Sequence, residues 1–307
     1  MHCSDRKEDK IMVGKQERRY QRMITVVLAL ISLIMVIPLV LLVVASFTSN
    51  NEIVLHGYSF FPKELSLEAY RYIWNERAQV FHAYGITILV TAIGTTIGVM
   101  MTLLYAYVLA HEKFPGKTFL AFYLFFTMLF NGGLVPTYIM YTRYLHMKNT
   151  IPALIIPGLL MSAFNVILTR TYIQSNVPAA LSEAAKIDGA TEFQVFRKVV
   201  LPMCKPIIAT VGLFAGLGYW NDWTNGLYYI SNEKLYSIQQ LLMKIMNNIQ
   251  AMRSNSNASL IGTGAIELPG TSIRMAMAVI GILPIMLIYP FVQKYLVKGV
   301  VVGAVKG

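Results

Sequence analysis

Apolar residues fall in long blocks along this chain, and the polar positions are confined to the stretches between them. A helix needs about 20 largely apolar residues to cross a hydrocarbon core. Six segments reach that length: Ile24–Thr48, Gly85–Ala110, Lys117–Tyr141, Ile151–Thr169, Met203–Trp223 and Ser272–Val292. The first is the cleanest, and Asn131-Gly132-Gly133 interrupts the third. The pattern predicts an all-α polytopic membrane protein with six transmembrane helices. Its organisation would be a tail at 1–23, a membrane domain at 24–293 and a second tail at 294–307. An even number of crossings puts both termini on one side. The first apolar run is too long for the core of a cleavable signal and reads as an anchor.

Composition agrees with that pattern. Of the 307 residues, 56% are hydrophobic and only 13% charged, against roughly 25% charged in soluble domains. The formal charge of +11 is what basic cytoplasmic loops give a membrane chain. No basic run sits on a soluble fold, so nucleic acid is not an expected partner. Two cysteines, Cys3 and Cys204, are too few for a disulfide framework.

Charge also orients the chain. Arg6, Lys7, Lys10, Lys15, Arg18, Arg19 and Arg22 crowd the first tail. Arg170, Lys186, Arg197, Lys198 and Lys205 lie on or beside the connection at about 170–202. The connections on the other face are longer yet poorer in Lys and Arg, the longest running over about 226–271. Lys and Arg concentrate in the cytoplasm, so both termini and the 170–202 connection are expected there. Within the spans, Gly94 and Gly98, and again Gly212 and Gly216, make Gly-x-x-x-Gly pairs that let helix backbones approach. They suit packing within the chain or a subunit interface.

The cytoplasmic connection has its own pattern. Pro178 to Asp188 favours a helix, with proline tolerated in the first turn. Gly189 suits its C-terminus, where positive φ costs glycine nothing. Thr191 and Gln194 fit a capping box opening a second helix, Glu192 to Val200, which Pro202 would end. Ala185 and Gly189, four apart, leave a bare strip flanked by Leu181 and Ile187. A hairpin lying on the membrane explains Leu181, Ile187, Phe193 and Phe196. A strip of small residues is better suited to close docking into a protein cleft.

Glu183, Ala184, Ala185, Gly189, Val199, Leu201 and Pro202, at their spacing over twenty residues, resemble the signature loop of permease subunits of bacterial binding-protein-dependent ABC importers. Val199 stands where isoleucine is usual. In that family the loop is a coupling helix seated in a groove of the ATPase. The resemblance therefore implies an ATPase-coupling role for those residues and Asp188. It also implies partners: a second homologous permease making a heterodimer, two ATPase subunits and an extracytoplasmic solute-binding protein. ATP and Mg would belong to the ATPases, with no cofactor in this chain. The end of the chain, with Gly299, Gly303, Lys306 and Gly307, is similar to the tail of the shorter maltose-type permease, which reaches between the ATPases. Asn131-Gly132-Gly133-Leu134-Val135-Pro136 is similar to the branch that handles complex oligosaccharides. The location implied is a bacterial cytoplasmic membrane, in contact with lipid.

No catalytic or metal-binding constellation is found. Gly116-Lys117-Thr118 imitates the end of a phosphate loop, but His111 stands where that loop needs a glycine. The five histidines are scattered, without metal-ligand spacing. Tyr219-Trp220-Asn221-Asp222-Trp223 closes the fifth span either as an interfacial aromatic belt or with Tyr219, Asn221 and Asp222 lining the pathway, since polar groups at membrane depth usually face a cavity. Asn131 and Asn165 either line that passage or hydrogen-bond between helices. The expected function is an oligosaccharide permease that couples a partner's ATP hydrolysis to alternating access. A permease for amino acids, phosphate or polyamines is the alternative. A secondary transporter is a weaker one, because no internal repeat is evident.

Overall fold

A computed structural model describes residues 15–111, 114–254 and 270–304. Among them every regular element is helical, and extended backbone pairs only at an isolated antiparallel bridge between Thr48 and Leu65. In chain order the α-helices are α1 (Lys15–Ser46), α2 (Asn50–His56), α3 (Glu68–Asn75), α4 (Arg77–Ala110), α5 (Lys117–Leu129), α6 (Leu134–Ile139), α7 (Pro152–Ile155), α8 (Ala163–Asn176), α9 (Ala179–Ile187), α10 (Glu192–Val195), α11 (Leu201–Met203), α12 (Lys205–Trp220), α13 (Thr224–Tyr229), α14 (Ile238–Ser254) and α15 (Thr271–Ala304). They divide into two compact bodies, residues 15–71 with 270–279 and residues 72–254 with 280–304.

In the first body α1 opens with charged turns and is almost wholly apolar from Met23 onward, and an 18-residue stretch of it buries no side chain. Lipid tolerates such a helix because its backbone groups are all paired internally. Beyond its end the chain is pinned locally. Phe47 stacks on Tyr70 at 4.8 Å, Ser46 Oγ and the Tyr70 hydroxyl lie 2.8 Å apart, and Ser49 caps α2 by accepting from the Glu52 N–H.

The second body is built on α4, which packs most extensively on α12 and α8. Both Gly-x-x-x-Gly pairs serve that packing. The Tyr219 ring lies against Gly94 where a Cβ would stand, and a Cβ on Gly98 would come within 2.6 Å of the Leu160 carbonyl. Gly212 faces Val99 and Gly216 faces Thr95. The core below them holds Leu103, Ala106, Leu109, Val166, Ile173 and Ile207.

Among the described residues three helical stretches, Arg19–Ser46, Arg77–Ala110 and Thr271–Pro290, are long and apolar enough to cross a membrane, and two bent pairs would raise that to five. One bent pair is the expected third span, turned by 115° between Leu129 and Leu134, where Asn131 Oδ1 accepts from the Gly133 N–H at 2.9 Å. The other joins Glu192–Met203 to Lys205–Trp220 at 81°.

The fourth expected span, Ile151–Thr169, differs from expectation: α7 is four residues long and α8 begins only at Ala163. Pro157 cannot donate to a helix ladder, and Gly158 takes φ +70°. The carbonyls left over are paired from far along the chain. Tyr219 donates its hydroxyl to the Ile155 carbonyl at 2.9 Å, and Asn225 donates Nδ2 to the Pro157 carbonyl at 2.9 Å. Irregular backbone at membrane depth survives where protein groups satisfy it in this way.

Candidate functional site

The connection between α8 and α12 forms a helix–turn–helix. Pro178 opens α9. At its end the Gly189 N–H reaches the Lys186 carbonyl and the Ala190 N–H the Ala185 carbonyl, the paired closure of a Schellman motif. Gly189 has φ +83°, a conformation that other residues adopt only at a cost of about 1–2 kcal/mol. Thr191 then caps α10, with the Gln194 side chain accepting from the Thr191 N–H at 2.9 Å. The capping box expected from sequence is complete.

The second helix departs from expectation at its far end. After Val195 the backbone widens into a π-helical turn, Phe196–Val200, and resumes as α11 to Met203. Pro202 sits within that last turn and does not end the helix. The break falls at Cys204, and Pro206 occupies the first turn of α12, where a missing N–H is harmless.

The two faces of this unit differ. Val195, Phe196 and Val200 are buried in the core, with Ala185, Ala190 and Val199 packed against it. Leu181, Ile187 and Phe193 are bare, Ile187 being 86% exposed. Glu183, Ala184, Asp188, Gly189 and Pro202 are exposed and Leu201 half-buried. Thus the structure brings the loop residues named above onto one compact unit. Phe196, grouped above with surface side chains, belongs to the core instead. Its ring lies 5.2 Å from that of Tyr107 on α4.

A polar cluster joins the same unit to the end of α4. Glu192 pairs with Lys186 and accepts from the Tyr107 hydroxyl at 2.9 Å. His111 Nε2 lies 3.7 Å from Glu192 and 3.4 Å from Lys186 Nζ. The Lys186 ammonium holds the Glu192 carboxyl below its ordinary value; burial is the main opposing effect, and Tyr107 and His111 add to the lowering. Sequence reasoning missed this cluster. Its members are up to 85 positions apart, and no periodicity links them.

The candidate pathway residues separate. Asn165 is buried and, with Thr102 and Ser162, lines a cavity of about 360 Å³ between α4, α8 and α12. Asn131 is exposed at the α5–α6 break. Tyr219 is 2% exposed, and its hydroxyl is engaged by Ile155, so it packs helices together. Asn221 donates to the Leu217 carbonyl one turn back. Asp222 accepts the Thr224 and Asn225 N–H groups at the start of α13. Gly299 and Gly303 fall on the last turns of α15, while Lys306 and Gly307 lie outside the described residues. Among the described residues no three His, Cys, Asp or Glu side chains gather as a metal site.

The profile of the family described as the binding-protein-dependent transport system inner membrane component matches residues 106–302. Over 292 residues the chain is 35% identical to the polygalacturonan/rhamnogalacturonan transport system permease protein YtcP of Bacillus subtilis (strain 168), covering 95% of this chain and 100% of that protein. It is 26% identical to the arabinooligosaccharides transport system permease protein AraQ of Halalkalibacterium halodurans, covering 93% and 96%. A crystal structure of a bacterial ABC transporter involved in the import of the acidic polysaccharide alginate contains a similar chain. The TM-score is 0.75 and the identity 26%, over 92% of this chain and 98% of that one.

Proposed function

The chain belongs to the family of binding-protein-dependent transport system inner membrane components, and we propose that it carries uronate-containing oligosaccharides inward as one half of a heterodimeric pathway. A permease of this kind is a membrane subunit of an ABC transporter, and ATP hydrolysis resides on a separate subunit. The partners of the proposed complex are a second permease, two ATPases that bind ATP and Mg, and an extracytoplasmic binding protein that delivers the sugar. Both termini and the Gly189 unit face the cytoplasm, in keeping with the distribution of Lys and Arg.

The observation that carries this reading is the two-faced Gly189 unit. Its inner side is anchored in the core through Val195, Phe196 and Val200, while Leu181, Ile187 and Phe193 are left bare on a small-residue surface. Such a surface fits a partner's groove, with Glu183, Ala184, Ala185, Asp188 and Gly189 at the contact and Leu201 and Pro202 passing motion to α12. The end of the chain, with Gly299 and Gly303 on the last turns of α15 and with Lys306 and Gly307 after them in sequence, makes a second contact with the ATPases. Asn165, Asn131, Asn221 and Asp222 supply polar groups to the passage. ATP binding shifts the spans only as far as the ATPases grip the two states differently.

The sugar class rests on the resemblance to a permease named for polygalacturonan and rhamnogalacturonan and to an importer of the acidic polysaccharide alginate, whose substrates all contain uronates. The test is uptake into vesicles holding the full complex, with labelled trigalacturonate set against an amino acid, phosphate and a polyamine. ATP-dependent accumulation of trigalacturonate alone is expected. Uptake of another solute class refutes the substrate, and uptake without ATP refutes the coupling.

A further inference from the structure

We propose that the pocket between Trp223, α13 and α14 is a binding subsite for one sugar ring of the transported oligosaccharide. The cavity measures about 390 Å³, within the range of roughly 300–1,000 Å³ usual for small-molecule sites. Trp223 and Tyr236 provide aromatic walls, and Asn247 and Asn248 add exposed amides from α14. A pyranose asks for this mixture. Its C–H faces stack on aromatic surface, while its hydroxyls need both donors and acceptors, and an amide side chain supplies both.

Gln240 fixes the wall. Its Nε2 donates to the Gly226 carbonyl at 2.8 Å and the Ile230 carbonyl at 3.1 Å, tying α14 to α13. Its Oε1 is buried without a donor, in the space left by the missing side chain of Gly226. A buried acceptor left unpaired is costly, so this part of the wall is held by the two donated bonds alone. Lys244 stands 5.3 Å over the Tyr236 ring and is paired with Glu233, so a uronate carboxylate bound at this wall would compete with Glu233 for the ammonium. The larger groove between α4 and α12, about 550 Å³, is walled mainly by Val99, Met100, Leu103 and Ile208, with Thr95, Thr96 and Lys205 as its polar groups, and has no aromatic wall.

The subsite rests on the proposed function, which puts α13 and α14 on the outer face. Its test uses the complete complex in detergent, with Trp223 emission isolated by subtracting the spectrum of a Trp223→Phe complex. Trigalacturonate should change that emission saturably. Asn247→Ala and Tyr236→Ala should each weaken the response about five- to tenfold, and should raise the half-saturating concentration for uptake more than they lower its maximum rate. Silence of Trp223 up to about 10 mM trigalacturonate, in a complex that still imports it, overturns the subsite and leaves the proposed function standing. Unchanged affinity in both variants also overturns the subsite. A saturable Trp223 response in a complex that imports no oligosaccharide keeps the subsite and sinks the function.

Discussion

The Gly189 unit and the end around α13, the outer end in the orientation proposed above, are both polar interruptions of an apolar chain, but they are held in opposite ways. Around α13 the ties are amide side chains bonded to distant backbone. Asn149 Oδ1 accepts the Ser231 N–H at 2.7 Å and the Asn232 N–H at 3.0 Å. Asn225 reaches Pro157, and Gln240 reaches Gly226 and Ile230. These bonds are short-range and satisfied by backbone, so they lock shape. The Gly189 unit is stiff inside, with a Schellman closure and a capping box. To the rest of the molecule it is tied by one apolar face and by a half-exposed ion-pair cluster, a kind of contact worth little and weakened by salt. A part meant to be moved as a body by a partner should be rigid within and lightly clamped without. A part meant to enclose a ligand should be locked to its surroundings.

The severest way to break that contrast is to remove the stiffness. Gly189→Val puts a β-branched residue at φ +83°, a true outlier for that side chain. The helix–turn–helix should lose its shape at the turn while the spans, held together by the packing of α4 on α12 and α8, stay inserted. Substrate-stimulated ATP hydrolysis by the full complex is expected to fall at least about tenfold, equivalent to about 1.4 kcal/mol, with normal amounts of the chain in the membrane. Full stimulation would remove the coupling role from this turn.

At the outer end the matching experiment unlocks the shape. Asn149→Ala removes the bonds to Ser231 and Asn232 and leaves a non-glycine residue at φ +58° without the side chain that suits it. A loss of about 1–3 kcal/mol is expected, read as a lower melting temperature of the complex. Coupling of ATP hydrolysis to substrate should persist in the molecules that stay folded. If coupling fails before stability does, the outer end is no mere locked frame.

What could be read from the sequence follows the range of the interaction. Gly189, Thr191 with Gln194, and the two Gly-x-x-x-Gly pairs depend on neighbours within a turn or on one facing helix, and each left a local signature. The break at Pro157–Gly158 did not read as a break inside an apolar block. Its orphaned carbonyls are satisfied by Tyr219 and Asn225, more than 60 positions away. For the same reason Tyr219 looked like a pathway residue from its polar neighbours, whereas its hydroxyl is engaged and its ring fills the gap at Gly94. The π-helical turn at Phe196–Val200 likewise has no sequence periodicity of its own, and Pro202 reads as a stop only if the helix before it is regular.

The mildest test concerns the clamp itself. Glu192→Gln removes the charge that Lys186 pairs with and leaves the capping box intact. An exposed pair of this kind is worth about 0.2–1 kcal/mol, so coupled ATP hydrolysis should change by no more than about fivefold. The sign of its pH dependence is set by the lowered Glu192 value. The pairing is fully present above the ordinary value of 4.5 and is lost only as pH falls through the lowered one. Between pH 6 and pH 8, then, titration of Glu192 itself contributes no slope, and salt is the sharper probe. Raising ionic strength from about 0.05 M to about 0.5 M screens the pair and should bring the wild type towards the variant, which should itself respond less. Equal salt sensitivity in the two would mean that the apolar face alone holds the Gly189 unit to α4, and that the contrast with the outer end lies in burial rather than in charge.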